Sequence, residues 1–116
     1  MSKVIVIGHK SPDTDSIAAA ISYSNLKCEL GMDAAAYRAG ELNKESKFAL
    51  DYFGVEAPEF IDHVEDGQQV ILVDHNESKQ CVDGIKDAEV IELVDHHRIG
   101  DFETASPIFI LFCPVG

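Results

Sequence analysis

The chain reads as an α/β protein: a mostly parallel sheet with helices on both faces. Two observations predict that class. Short β-branched runs alternate with segments of helical composition, the pattern of βαβ units. The run at 3–7 (Lys-Val-Ile-Val-Ile) carries no polar alternation, as expected of a strand buried on both faces of a parallel sheet.

Taken in order, residues 3–7 form the first strand. Pro12 keeps Ser11 extended, because its ring disfavours helix in the residue before it. Thr14 or Asp15 then caps a helix from about 16 to 30, and Gly31 stops it. Ala18, Ala19 and Ala20 are small enough to bring that helix close to the sheet. A weaker strand follows at 33–38, since alanine forms strands poorly. Asn43 caps a short helix to Phe53, ended by Gly54. Ala57-Pro58 and Asp66-Gly67 mark loops. After the strand at 69–73 come a short helix over 77–85, a strand at 89–94 and a last apolar strand at 108–113.

Composition narrows the function classes. The 116 residues suit about one domain. No apolar run approaches the roughly 18 residues that span a bilayer, so no membrane partner is expected. Met1-Ser2-Lys3 leads into a strand, not the apolar stretch of a secretion signal. A net charge of -12 repels a nucleic acid backbone. Cys28, Cys81 and Cys113 form no Cys-x-x-Cys pair, which argues against a zinc ribbon and for reduced thiols in a cytoplasmic protein.

Three polar clusters follow strands: His9 with Asp13 and Asp15, then Asp74 with His75, then Asp95, His96 and His97. In parallel sheets, ligands bind outside the carboxyl ends of the strands. Singly, each residue has a plain reading. His9 is a structural histidine, Asp15 a helix cap, Asp74 a turn residue, and His96-His97 an exposed loop pair. Gathered at one edge, they point to divalent metal, because carboxylate oxygen and imidazole are its ligands.

Asp13 and Asp15 do not share a helix face and can address neighbouring ions. Asp74 has two oxygens with which to bridge. His96 and His97 diverge, so one can bind metal while the other faces substrate. His9, Asp13, Asp15, Asp74 and His96 make five ligands, more than one open metal takes from protein. Two metals fit better, and a two-metal site suits phosphoryl hydrolysis. The mixed ligand set favours Mn²⁺ over Mg²⁺ and over zinc. Lys10 and Arg98, beside these clusters, either meet phosphate oxygens or stay solvated. His63 reads as surface.

The motifs Gly8-His9-x-x-Pro12-Asp13-x-Asp15-Ser16, Val73-Asp74-His75-Asn76-Glu77 and Asp95-His96-His97-Arg98 resemble the DHH phosphoesterase superfamily. Within it, the chain resembles the manganese-dependent (family II) inorganic pyrophosphatases. The likeness extends through Ala49-Leu50-Asp51-Tyr52-Phe53 and Phe102-Glu103-Thr104-Ala105. The Thr14-Asp15-Ser16 ending separates it from the nuclease branches, whose first motif more often reads Asp-Gly-Asp or Asp-x-Asp-Gly.

The resemblance implies hydrolysis of pyrophosphate to two phosphates at a two-manganese site, with Mg²⁺ or Co²⁺ as possible substitutes. It implies that His9 and Asp13 hold one ion, that Asp15 and His96 hold the other, and that Asp74 bridges them. His97 would donate a hydrogen bond to the phosphate, and His75 and Asp95 would orient the ligands from behind. It further implies a homodimer paired through the first domain, which an open strand edge at 108–113 favours.

The family carries a further aspartate ligand and a second, basic, substrate-clamping domain. Neither is found in residues 1–116, which match the front part of the first domain. The piece alone is therefore expected to turn over little substrate. Two alternatives remain: another DHH phosphoesterase acting on short oligonucleotides or polyphosphate, and a non-catalytic metal-binding or dimerisation module.

Overall fold

The computed structural model describes residues 3–10, 14–75, 79, 81–95, 104 and 107–112, with Asp15 and Phe112 described by backbone alone. The elements run β1 (Val4–Ile7), α1 (Thr14–Glu29), β2 (Ala34–Arg38), α2 (Lys44–Phe53), β3 (Glu59–Phe60), β4 (Gln69–Val73), β5 (Glu89–Asp95) and β6 (Phe109–Phe112). The strands form one six-stranded sheet in the order β3-β2-β1-β4-β5-β6, and every pairing is parallel. The α/β class and parallel sheet expected from the sequence are both present.

Strand alternation sorts the core into two layers. Val4 and Val6 of β1, with Ile71 and Val73 of β4, pack on the α1 side against Ala20. Ile7, Val70, Leu72 and Leu93 point to the opposite side, under Val64, Cys81 and Val82. Each such aliphatic side chain, once buried, contributes about 1.5–3 kcal/mol. Of the three alanines, Ala20 is fully buried and Ala19 packs on the sheet. Ala18 is exposed and lines a groove towards α2, because a 100° step turns it off that face.

The helix ends follow backbone demands. At Gly31 (φ 96°), the Gly31 N–H donates to the Cys28 carbonyl and the Met32 N–H to the Lys27 carbonyl. That bond pair needs a left-handed residue, which glycine supplies at little cost. Asn43 caps α2 through its side-chain oxygen, 2.7 Å from the Ser46 N–H. Thr14 lies inside α1, two residues before the expected start, and does not cap it. Its hydroxyl instead donates to Glu45 Oε1 at 2.5 Å, tying α1 to α2.

The described part of the segment expected as a helix over 77–85 folds otherwise. Asp83 makes a parallel β-bridge with His63, and its carbonyl accepts from the Val64 N–H at 2.8 Å. A carbonyl engaged across the sheet face cannot serve a helix. Gly84 follows at φ 90°. This extended segment and its turn cover the second face of the sheet, where a helix was expected. β3 was not anticipated from the sequence.

Between β4 and β5 the register shifts: Val70 pairs with Val90, but Ile71 pairs with Glu92. The extra residue, Ile91, turns Glu92 towards α1. There Glu92 accepts from Tyr23 Oη at 2.6 Å and from Lys27 Nζ at 2.7 Å. The Lys27 ammonium also lies 5.2 Å from the centre of the Tyr23 ring, a favourable cation–π geometry.

Burial, reinforced by Glu92, raises the Tyr23 phenol above its ordinary 10.0. The hydrogen bond to Glu92 raises the Lys27 ammonium above its ordinary 10.5. Both groups hold their protons more tightly when folded. Their contribution is complete below these ordinary values and is lost as pH rises through the folded ones. Stability is therefore expected to fall above about pH 10, and denaturant midpoints measured from pH 8 to 11 should show it. Glu92→Gln should cost about 1.5–3 kcal/mol at neutral pH and flatten that alkaline fall; an unchanged fall would show that the trio does not carry it.

Candidate metal centre

The strand order places the candidate site. From β1 the chain moves outward to β2 and β3, then returns to β4 on the other side of β1 and continues to β5 and β6. The reversal lies between β1 and β4. In open α/β sheets, the crevice beyond the carboxyl ends at such a reversal binds ligand. β1 leads into Gly8-His9, and β4 leads into Asp74-His75.

The two leading candidates meet there. His9 Nε2 lies 3.5 Å from Asp74 Oδ2, with their side chains only 15% and 7% exposed. Asp74 adopts φ 63°, the sole left-handed conformation outside glycine among the described residues. Aspartate tolerates that region better than most residues. The Asp74 N–H donates to the Val94 carbonyl at 2.9 Å, which fixes the kink. Strain held by surrounding structure is common where a side chain must be aimed.

Gly8 shows how closely the turn packs. A Cβ there would stand 1.7 Å from Ser16 Oγ, and Ser16 is buried in the first turn of α1. Glycine lets the strand end lie against the helix start.

His75 and Asp95 are buried beside the same rim. The His75 Nδ1–H donates to the Val73 carbonyl at 2.9 Å, since a carbonyl can only accept. That leaves Nε2 as a bare acceptor, with no hydrogen-bond partner among the described residues. Burial holds the His75 imidazole below its ordinary range, against the pull of the Val73 carbonyl. The ring is therefore neutral near pH 7, and it packs edge-on to His9 with centroids 6.2 Å apart.

Of the expected metal ligands, the described side chains are His9 and Asp74. Asp13 and His96 lie outside the described residues, as do His97 and Arg98; Asp15 is placed at the start of α1 by its backbone alone. Among the described residues, no group of three or more ligand side chains assembles. The donors present nevertheless fit a divalent first-row metal: an imidazole nitrogen and a carboxylate oxygen, nearly buried and converging at a sheet's switch point. A neutral, bare-nitrogen imidazole stands behind them.

Lys10, next to His9, makes an ion pair with Asp83 at 2.6 Å. Sequence reasoning missed Asp83, because nothing local marks a residue whose partner lies 73 positions away. His63 is exposed as expected, but not alone: its ring nitrogens meet Asp62 and Glu65 at 2.6 and 3.2 Å. No described helix is long and apolar enough to cross a membrane.

Comparison with known proteins fits this geometry. The family model described as "DHH family, N-terminal domain" matches residues 3–115. A protein of Oceanobacillus iheyensis named "Probable manganese-dependent inorganic pyrophosphatase" is 53% identical over 116 residues, covering all of this chain and 38% of that protein. One of Bacillus cereus (strain B4264), with the same name, is 53% identical over 117 residues at the same coverage. A solved structure titled "Crystal structure of Methanococcus jannaschii putative family II inorganic pyrophosphatase" superposes with a TM-score of 0.86 at 41% identity. It covers 97% of this chain and 34% of its own. The chain thus spans 38% of the length of these curated relatives.

Proposed function

The chain belongs to the DHH family, whose N-terminal domain it matches over 3–115, and on that footing we propose that the whole protein hydrolyses inorganic pyrophosphate to two phosphates. The observation that carries the reading is the His9–Asp74 pair, 3.5 Å apart at the switch point. The names of the relatives support manganese as the metal; Mg²⁺ and Co²⁺ would substitute.

In this reading His9 and Asp13 would hold one ion, Asp15 and His96 would hold a second, and Asp74 would serve as a ligand to both. Bound metal would supply a water of lowered pKa and charge stabilisation for the attacking and leaving oxygens. His97 donates a hydrogen bond to the phosphate under attack. His75, pinned to the Val73 carbonyl, and Asp95 hold the ligand-bearing loops in place. Lys10 and Arg98 meet phosphate oxygens. The remaining length of the protein carries the basic clamp on the substrate.

We further infer a cytoplasmic setting, in keeping with the unbridged thiol of Cys28. We also infer a homodimer joined at β6, an edge strand on which Phe109, Ile110 and Leu111 are exposed. Sedimentation of the full-length protein as a monomer would contradict that pairing.

The test is phosphate release by the full-length protein with Mn²⁺. Turnover within the usual enzyme range, about 1–10³ s⁻¹, is expected, with loss of activity on chelation and recovery on adding Mn²⁺. A higher kcat/KM on a short oligonucleotide or on polyphosphate would replace this reading with another phosphoesterase. No turnover on any of them, with Mn²⁺ still bound, would leave a binding module.

A further inference from the structure

Lys10 follows His9 directly, and its ammonium sits 2.6 Å from Asp83 Oδ1, with the two side chains 44% and 71% exposed. The two partners are mounted differently. Asp83 is held by backbone: it is bridged to His63, its carbonyl accepts from the Val64 N–H, and Val82 before it is buried. Lys10 is a flexible four-carbon arm. Together with Lys79 and Lys86 it lines a cleft of about 310 Å³ that also contains Asp83 and Asp87. Three of the nine basic residues of a chain with net charge -12 gather there.

We propose that Asp83 is the resting counter-ion of Lys10, and that the anionic substrate competes with Asp83 for this ammonium beside His9. The proposal rests on the pyrophosphatase reading. It makes Lys10 a substrate-binding residue and Asp83 an affinity-setting residue that acts through it. An exposed ion pair is weak, holding the lysine by at most about fivefold. A charge-assisted hydrogen bond to a phosphoryl oxygen is stronger, about ten- to hundredfold. The exchange therefore favours substrate, while Asp83 limits how tightly it binds.

The experiment is calorimetric titration of the full-length protein, in Mn²⁺, with imidodiphosphate, whose nitrogen bridge replaces the scissile oxygen. Asp83→Asn is expected to tighten Kd by about two- to fivefold. Lys10→Met is expected to weaken it by about ten- to hundredfold. Asp83→Asn placed on Lys10→Met should change nothing further. A gain that persists without the lysine would be a general field effect and would overturn the proposal, as would no gain from Asp83→Asn. If Asp83→Asn lowers thermal stability, Asp83→Ser provides the same comparison. Absence of imidodiphosphate binding and of pyrophosphate turnover in the wild type would sink the pyrophosphatase reading itself. Wild-type binding with no gain from Asp83→Asn sinks the counter-ion alone.

Discussion

Asp74→Asn in the full-length protein is expected to lower pyrophosphate turnover by about 10²- to 10³-fold while leaving the fold intact. The size follows from the role. On the proposed role Asp74 would help to hold the metal, bound metal is worth several kcal/mol of charge stabilisation in the transition state, and about 1.4 kcal/mol is tenfold in rate. The fold survives because asparagine tolerates the left-handed backbone at φ 63°. The backbone bond to the Val94 carbonyl is also untouched. The amide keeps the shape of the carboxylate but removes its charge and turns a donor towards the His9 side. Alanine would be a poorer choice, since it adds about 1–2 kcal/mol of backbone strain to the loss of the ligand. Mn²⁺ titration and a thermal melt complete the measurement. Turnover within threefold of wild type, with Mn²⁺ affinity unchanged, would remove Asp74 from the metal site.

Much of this architecture was legible in the residues, for reasons that differ by element. Val4–Ile7 and Gln69–Val73 are β-branched runs buried on both faces, so composition alone marks them. Gly31 and Gly54 end their helices because the backbone there must turn left-handed. His9 and Asp74 were recognisable as candidates because each follows a buried strand. Their approach to 3.5 Å could not be read locally, since it depends on β4 returning to the side of β1. The stretch before β5 misled for a related reason. Its composition permits a helix, but the Val64 N–H takes the Asp83 carbonyl from 19 residues away. The extra residue at Ile91 was equally silent, although it aims Glu92 at Lys27.

That same stretch yields the largest stability effect expected here. Gly84→Ala should cost roughly 2–5 kcal/mol. One part is backbone: φ 90° lies where a side chain is strained by about 1–2 kcal/mol. The rest is collision, because a Cβ at this position would stand 2.4 Å from the Val64 carbonyl oxygen. That oxygen belongs to backbone and cannot rotate away as a side chain would. Relief requires the turn to lift, which loosens the bond from the Val64 N–H to the Asp83 carbonyl and the buried packing of Cys81 and Val82 on the sheet. Gly54→Ala is the matched comparison. It shares the left-handed backbone at φ 66°, but its Cβ would meet nothing within 4 Å. Denaturant midpoints should therefore fall clearly further for Gly84→Ala than for Gly54→Ala, whose loss should stay near 1–2 kcal/mol. Equal losses would mean that the turn yields freely. Asp83 would then be no fixed mount for Lys10, because the platform that presents its carboxylate to the His9 loop is the one this glycine allows to close.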